Sequence, residues 1–298
     1  MHIAISGASG LIGRALTHAL RKKGDQPIAL VRRPARENEV QWDPAQPLDP
    51  ARLSGCDAVV HLAGKNIAGY WTEKFKQQVR DSRVQGTRTL ATAVAESFRR
   101  SGQPRVFLSA SAIGYYGNRR DELLTEESAP GRGFLPEVSQ EWETATAAAR
   151  EAGVRVVNLR IGVVLARDGG ALKSMLLPFR LGLGGRIADG QQYWSWVSLD
   201  DVVGIILFAL QNDSLRGPVN VVSPEPARNE EFVRALGEAV HRPTIFPLPA
   251  FAVRTLMGEM GEAALLGSAR VQPSKLKAAG YQFRHPQLKD ALQWALAD

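Results

Sequence analysis

Three glycines, Gly7, Gly10 and Gly13, are spaced three residues apart between a short apolar run, His2 to Ser6, and the start of a helical pattern. That spacing suits an anion. The first glycine permits a tight turn. The second lets backbone N–H groups approach a pyrophosphate, and the third allows helix and strand to pack closely. Ser9, Leu11 and Ile12 fill the positions between them, where a helix N-terminus offers unpaired donors and a favourable dipole to negative charge. A glycine triplet alone carries little weight, but here it lies between a strand and a helix, the context a dinucleotide cradle requires.

The end of the second apolar run bears on which dinucleotide. An acid there would bind a ribose 2′-hydroxyl. The sequence instead reads Val31-Arg32-Arg33-Pro34, and no acid appears until Glu37. A guanidinium matches a 2′-phosphate in charge and in its planar fork of donors. The expected cofactor is therefore NADP(H), with Arg32 as the main contact and Arg33 assisting.

These residues need a scaffold to hold them. Strand-like runs at 2–6, 27–32, 57–62, 105–109 and 154–160 alternate with helical patterns at 11–23, 72–97 and 137–152. Near-continuous Val/Ile/Leu runs separated by helices predict an α/β fold, a Rossmann-type doubly wound parallel sheet covered on both faces. Beyond Gly169 the pattern loosens, with a helix at 200–210, a strand at 218–222 and a helix at 229–240. Pro243, Pro247, Pro249, Pro273 and Pro286 then punctuate short helices. The expected organisation is an NADP-binding domain over 1–170, to which the strand near 218–222 returns. A smaller substrate lobe over 171–298 includes a C-terminal helical domain at 243–298.

Composition excludes several classes. Of 298 residues 44% are hydrophobic and 22% charged, an ordinary globular balance. Net charge is +7, which admits nucleic acid, an anionic membrane or a phosphorylated small molecule as partner. The charge is dispersed and its densest spots, Arg21-Lys22-Lys23 and Arg32-Arg33, are too short for a polybasic arm, so nucleic acid is not expected. The longest apolar run, 202–210, falls far short of the ~18 residues of a membrane span, so no membrane partner is expected. Cys56 is the single cysteine, which precludes an intrachain disulfide and a cysteine metal cluster. The five histidines show no metal-ligand spacing. Met1 to Ser6 reads as a strand rather than a signal peptide, and a cytoplasmic protein, monomer or homodimer, is the simplest expectation.

With Gly7–Gly13 in place, three more features resemble the extended short-chain dehydrogenase/reductase superfamily: His61-Leu-Ala-Gly64, Phe107-Leu-Ser-Ala-Ser111 and Asn158-Leu-Arg160. More closely, the chain resembles an NAD(P)-dependent epimerase-family subgroup with a C-terminal domain of unknown function. That likeness rests on Trp71-Thr-Glu, Asp81-Ser-Arg83, Ser109 to Gly117, Leu177 to Gly185, Trp196 to Asp201, Pro247 to Phe251 and Leu266 to Arg270. The resemblance implies further cofactor contacts at Leu62, Ala63 and Gly64, at Gln78 and Arg83, and at Ser109 and Val164.

It also implies a serine, a tyrosine and, four residues after the tyrosine, a lysine that lowers the phenol pKa. Ser111 fits the serine. The segment where the other two belong, Phe134 to Glu143, has neither tyrosine nor lysine. Tyr70-Trp-Thr-Glu-Lys74 has the spacing but precedes the serine strand, so it reads as chance. Tyr115 and Tyr116 are the substitute candidates, with Arg119 or Arg120 supplying charge. Glu137, Glu141 and Glu143 read as helix-surface acids, with Glu141 or Glu143 left open as facing the cleft. Two functions result: an NADP(H)-dependent oxidoreductase or epimerase-like protein acting on a small carbonyl or sugar-like substrate, or a catalytically degenerate NADPH-binding sensor or scaffold.

Overall fold

The computed structural model describes residues 1–297. Its centre is a seven-stranded sheet built from β1 (His2–Ser6), β2 (Gln26–Val31), β3 (Glu39–Gln41), β4 (Ala58–His61), β5 (Val106–Ala112), β7 (Arg155–Ile161) and β11 (Gly217–Val221). The order is β11-β7-β5-β4-β1-β2-β3, and each neighbouring pair is parallel. β3 is an edge strand that periodicity does not reveal.

The two-residue period of a strand sorts the core into two layers. Ile3, Ile5, Ala58, Val60, Leu108, Val157 and Leu159 point to one face. That face is covered by α1 (Leu11–Lys22) and α6 (Leu199–Gln211). Ala4, Val59, Phe107 and Val156 point to the other, under α2 (Glu73–Ser101) and the short α4 (Ala147–Glu151). Each fully buried Val, Ile or Phe contributes about 1.5–3 kcal/mol relative to exposure. A one-residue slip in any strand would exchange the layers, so the register is fixed.

α2 starts at Thr72, whose hydroxyl accepts from the Phe75 N–H at 3.2 Å, and stops at Gly102 with φ 69°. The helix expected over 137–152 is two helices, α3 (Phe134–Thr144) and α4. The break follows from Thr146, whose hydroxyl bonds back to the Glu143 carbonyl at 2.6 Å and competes with the helical ladder.

Three separate ladders of two or three residues tie later segments of the chain together. β6 (Leu123–Leu124) pairs with β13 (Arg270–Val271), β8 (Val163–Leu165) with β10 (Trp196–Ser198), and β9 (Tyr193–Trp194) with β12 (Ala227–Arg228). A separate core, including Leu172, Phe179, Trp194, Phe232, Val253 and Leu292, gathers α5 (Gly170–Arg180), α7 (Asn229–Ala239), α8 (Ala250–Gly261) and α10 (Leu288–Leu296). The short α9 (Ser274–Ala278) packs against β11. Among the described residues no helix is long and apolar enough to cross a membrane, and no metal-binding group of His, Cys, Asp or Glu occurs.

Candidate functional site

The glycine turn lies where β1 and β4 end side by side. Gly7 has φ 72°, and a Cβ on it would stand 2.8 Å from the Ala63 nitrogen and the Leu62 carbonyl carbon. A Cβ on Gly13 would run into the Gly7 carbonyl oxygen. Neither position tolerates a side chain. Gly10 differs: its hypothetical Cβ meets only the Gly7 oxygen, at 3.2 Å, so its outer face is open. Gly10 also caps α1 without a side-chain hydrogen bond, and no acid occupies the first turn. The donors of Leu11, Ile12 and Gly13 thus open a helix whose positive end is not neutralised. Ser9 is exposed beside them, and its carbonyl accepts from Arg14 at 2.8 Å.

Beneath this loop Ser6 Oγ and His61 Nδ1 are hydrogen-bonded and brace the ends of β1 and β4. His61 is fully buried, and desolvation pushes its pKa down to about 4, so it is a neutral structural ring.

Around the cradle lie cations of two kinds. Arg32 is exposed and, among the described residues, has no hydrogen bond or ion pair. Arg33 does not share its freedom: its guanidinium forks onto Glu39 at 2.7 and 2.6 Å. The Arg33 hydrogen bonds, with a further one from the Arg36 N–H, hold Glu39 down to about 2. This corrects the expectation that Arg33 assists Arg32, because the carboxylate brought by β3 takes up its charge. Arg83, on α2, is inward-facing. It donates to the carbonyls of Lys65 at 3.0 Å and Val79 at 3.1 Å, and its Cζ lies 5.0 Å over the Trp142 ring. Desolvation alone lowers its pKa to about 10, with no carboxylate contributing. A Cβ on Gly64 would sit 3.6 Å from this guanidinium, so Gly64 keeps the approach to it clear.

Leu62 and Ala63 follow β4 half-buried, and Gln78 is exposed on α2. Val164 is half-buried in β8. It reaches the loop through Gly169 and Gly170: a Cβ on Gly169 would touch Leu11 at 3.0 Å, and one on Gly170 the Val164 oxygen at 3.4 Å.

The serine strand ends beside an ion pair. Ser111 Oγ donates to Glu143 Oε1 at 2.8 Å. Arg160 grips the same carboxylate with both arms, Nε to Oε1 at 2.7 Å and Nη2 to Oε2 at 2.8 Å. The side chains are only 3% and 12% exposed for Arg160 and Glu143. The Arg160 Cζ lies over the Tyr115 ring, 3.5 Å from its centre. Glu143 is therefore not a surface acid. The sequence held one sign of this: a cation, Arg160, at the carboxyl end of a strand that is otherwise apolar there needs a carboxylate partner.

Two catalytic candidates do not reach the cleft. Tyr116 is fully buried, its hydroxyl donating to Asn220 Oδ1 at 2.7 Å and accepting from Arg160 at 3.0 Å. Burial pushes it up to about 12, which leaves a core phenol in place of a proton donor. Arg119 forks onto Glu122 at 2.8 and 2.6 Å, so it supplies no free charge to Tyr115. Ser109 is fully buried and turns its hydroxyl to the Ala110 carbonyl at 3.3 Å. On α3 the buried face carries Val138 and Trp142, and the helix holds neither a tyrosine nor a lysine.

The model of the NAD dependent epimerase/dehydratase family matches residues 3–222, and a domain of unknown function, DUF1731, matches 248–295. An epimerase family protein of Mycobacterium bovis is 45% identical over 98% of this chain and 97% of its own length. The crystal structure of human epimerase family protein SDR39U1 with NADPH superposes with a TM-score of 0.90 at 34% identity, covering 99% of both chains. A nucleoside-diphosphate sugar epimerase from Corynebacterium glutamicum gives a TM-score of 0.81 at 35% identity, with 99% of this chain and 58% of that one covered.

Proposed function

This chain belongs to the NAD dependent epimerase/dehydratase family, and from that premise we propose that it binds NADP(H) and acts as an oxidoreductase or epimerase-like enzyme on a small carbonyl or sugar-like substrate. The observation that carries this is the glycine cradle, where a Cβ on Gly7 would meet Leu62 and Ala63 and one on Gly13 would meet Gly7, flanked by two cations without an acid partner, Arg32 and Arg83. The similarity to a human relative crystallised with NADPH supports it.

The open N–H groups of Leu11, Ile12 and Gly13 would hold the pyrophosphate, and Arg32 the 2′-phosphate. Leu62, Ala63 and Gly64 leave room for the nucleoside at the end of β4, and Arg83 places a second positive charge behind Gly64. When bound, a nicotinamide supplies a hydride donor or acceptor, which is the hard part of the chemistry.

The chain's own task is the proton. Ser111 is itself only 3% exposed and gives its proton to the hydrogen bond with Glu143, so in this reading its oxygen offers lone pairs alone to a substrate. In that state it accepts from a substrate hydroxyl and passes its own proton to Glu143. The carbonyl direction requires Glu143 to be protonated first, so that Ser111 can donate. Arg160 and Tyr115 keep the carboxylate in register with the serine. Ser111 and Glu143 thereby take the place of the absent tyrosine–lysine pair.

Thermal shifts with NADPH, NADP+, NADH and NAD+ test the cofactor. A ligand at about a hundred times its dissociation constant stabilises the native state by about 2.7 kcal/mol. The phosphorylated pair should stabilise more than the other pair, and Arg32→Glu should erase the difference. Equal shifts from all four would refute the assignment of Arg32. NADPH oxidation against a carbonyl panel tests the reaction: tight NADPH binding with no turnover would favour a sensor or scaffold.

A further inference from the structure

The C-terminal lobe carries a surface that neither its own core nor the dinucleotide cradle explains. Residues 170–188 and 239–258 run side by side, joined by Arg242 Nε to the Arg180 carbonyl at 3.0 Å, Phe246 N–H to Gly184 at 3.4 Å and Leu248 N–H to Arg186 at 2.9 Å. α5 buries Leu172, Leu176 and Phe179, and α8 buries Val253. Yet both elements are also apolar on the outside. Leu177, Leu181 and Leu183 in the first segment, and Ile245, Phe246, Phe251 and Leu256 in the second, are each 54–72% exposed. Scattered singly, such residues would need no explanation, but gathered together they mark an interaction surface. They are seven of the eleven exposed large hydrophobic residues among the described residues.

Charge identifies the occupant. The two segments contain five Lys and Arg residues (Lys173, Arg180, Arg186, Arg242, Arg254), and the nearest acids, Asp189, Glu238 and Glu259, stand at their ends. Among the described residues, the side chains of Lys173, Arg180 and Arg186 make no hydrogen bond or ion pair. Arg254 is paired with the exposed Glu262 at 2.7 Å, but an outward apolar face beside three unpaired cations suits an anionic bilayer, with the apolar side chains at the acyl boundary and the cations among the headgroups. A second copy fits poorly, because a two-fold contact would set this positive face against itself.

We propose that the face formed by residues 170–188 and 239–258 is a docking surface for anionic phospholipid membranes, holding the protein on the bilayer without spanning it. Among the described residues no helix is long and apolar enough to cross a membrane, and the proposal is for adsorption alone. The proposal is independent of the reading of the cradle.

Flotation with phosphatidylcholine vesicles, with and without phosphatidylglycerol, at low and high salt tests it on the full chain. The expected result is flotation only with the anionic vesicles, lost at high salt. Lys173→Glu combined with Arg180→Glu and Arg186→Glu should weaken it on the order of a hundredfold. Phe251→Asp with Leu256→Asp should weaken it independently. Both variants change exposed side chains, and an unchanged melting temperature shows that they fold. Equal binding to both vesicle types, no binding to either, or unaltered binding by both variants would overturn the proposal. So would a dimer in sedimentation velocity that Phe251→Asp with Leu256→Asp dissolves.

Discussion

Replacing Glu143 by alanine should have a large effect that can be sized from its surroundings. The substitution leaves Arg160, with a side chain 3% exposed, without its carboxylate, and it leaves Ser111 Oγ without an acceptor. Removing one partner of a buried ion pair costs about 3–5 kcal/mol. Arg160 keeps the Tyr116 hydroxyl at 3.0 Å, the Glu126 carbonyl at 3.4 Å and the Tyr115 ring, so the low end, about 3 kcal/mol, is expected. At about 2.1 cal/mol/K per residue, unfolding 298 residues carries an entropy near 0.6 kcal/mol/K, so the melting temperature should fall by about 5 °C. The assay is equilibrium denaturation of the cofactor-free protein by urea and by heat. The control is the double variant Glu143→Leu with Arg160→Met, which removes both charges and should cost less than Glu143→Ala alone. A loss under about 1 kcal/mol for Glu143→Ala, or a double variant worse than the sum of the singles, would show that the pair is not buried and coupled as described.

Three further outcomes can be checked directly. Gly13→Ala should abolish NADPH-dependent stabilisation, because its Cβ would displace the Gly7 carbonyl; an unaltered thermal shift would contradict the cradle. His61 should make stability pH-dependent. Its folded pKa of about 4 lies below the unfolded value near 6.5, so the unfolded chain binds the extra proton, and stability present above pH 6.5 is lost as pH falls towards 4, by up to about 3 kcal/mol. Urea titrations should show that slope between pH 6.5 and 5, and His61→Gln should flatten it. Arg83→Met should leave the cofactor-free protein at least as stable, since it removes an uncompensated buried charge, while weakening NADPH binding in a fluorescence titration.

The parts of this molecule that depend on neighbouring residues in the chain were readable from the sequence. β1, the glycine turn and α1 form one short unit, and their types and spacing leave little choice of conformation. The parts that depend on register were not. Ser111 stands opposite Arg160 only because β5 pairs with β7, and Glu143 meets both from a third element. Arg33 looked free because Glu39 lies on β3, a three-residue edge strand with no periodicity to announce it. The short ladders of the second half were hidden for the same reason. The apolar outer face of α5 and α8 could not be separated from core until the packing of the lobe was known.

The position of β11 has a consequence for synthesis. It completes the sheet beside β7, yet it is made roughly 60 residues later, after α5 and α6. At about 5–20 residues per second, a nascent chain spends on the order of 3–12 s with the outer edge of β7 unpaired. For that interval the edge is a template for a neighbouring nascent strand. Chains emerging close together on one messenger would thus be most prone to pair wrongly between the emergence of residue 161 and that of residue 221.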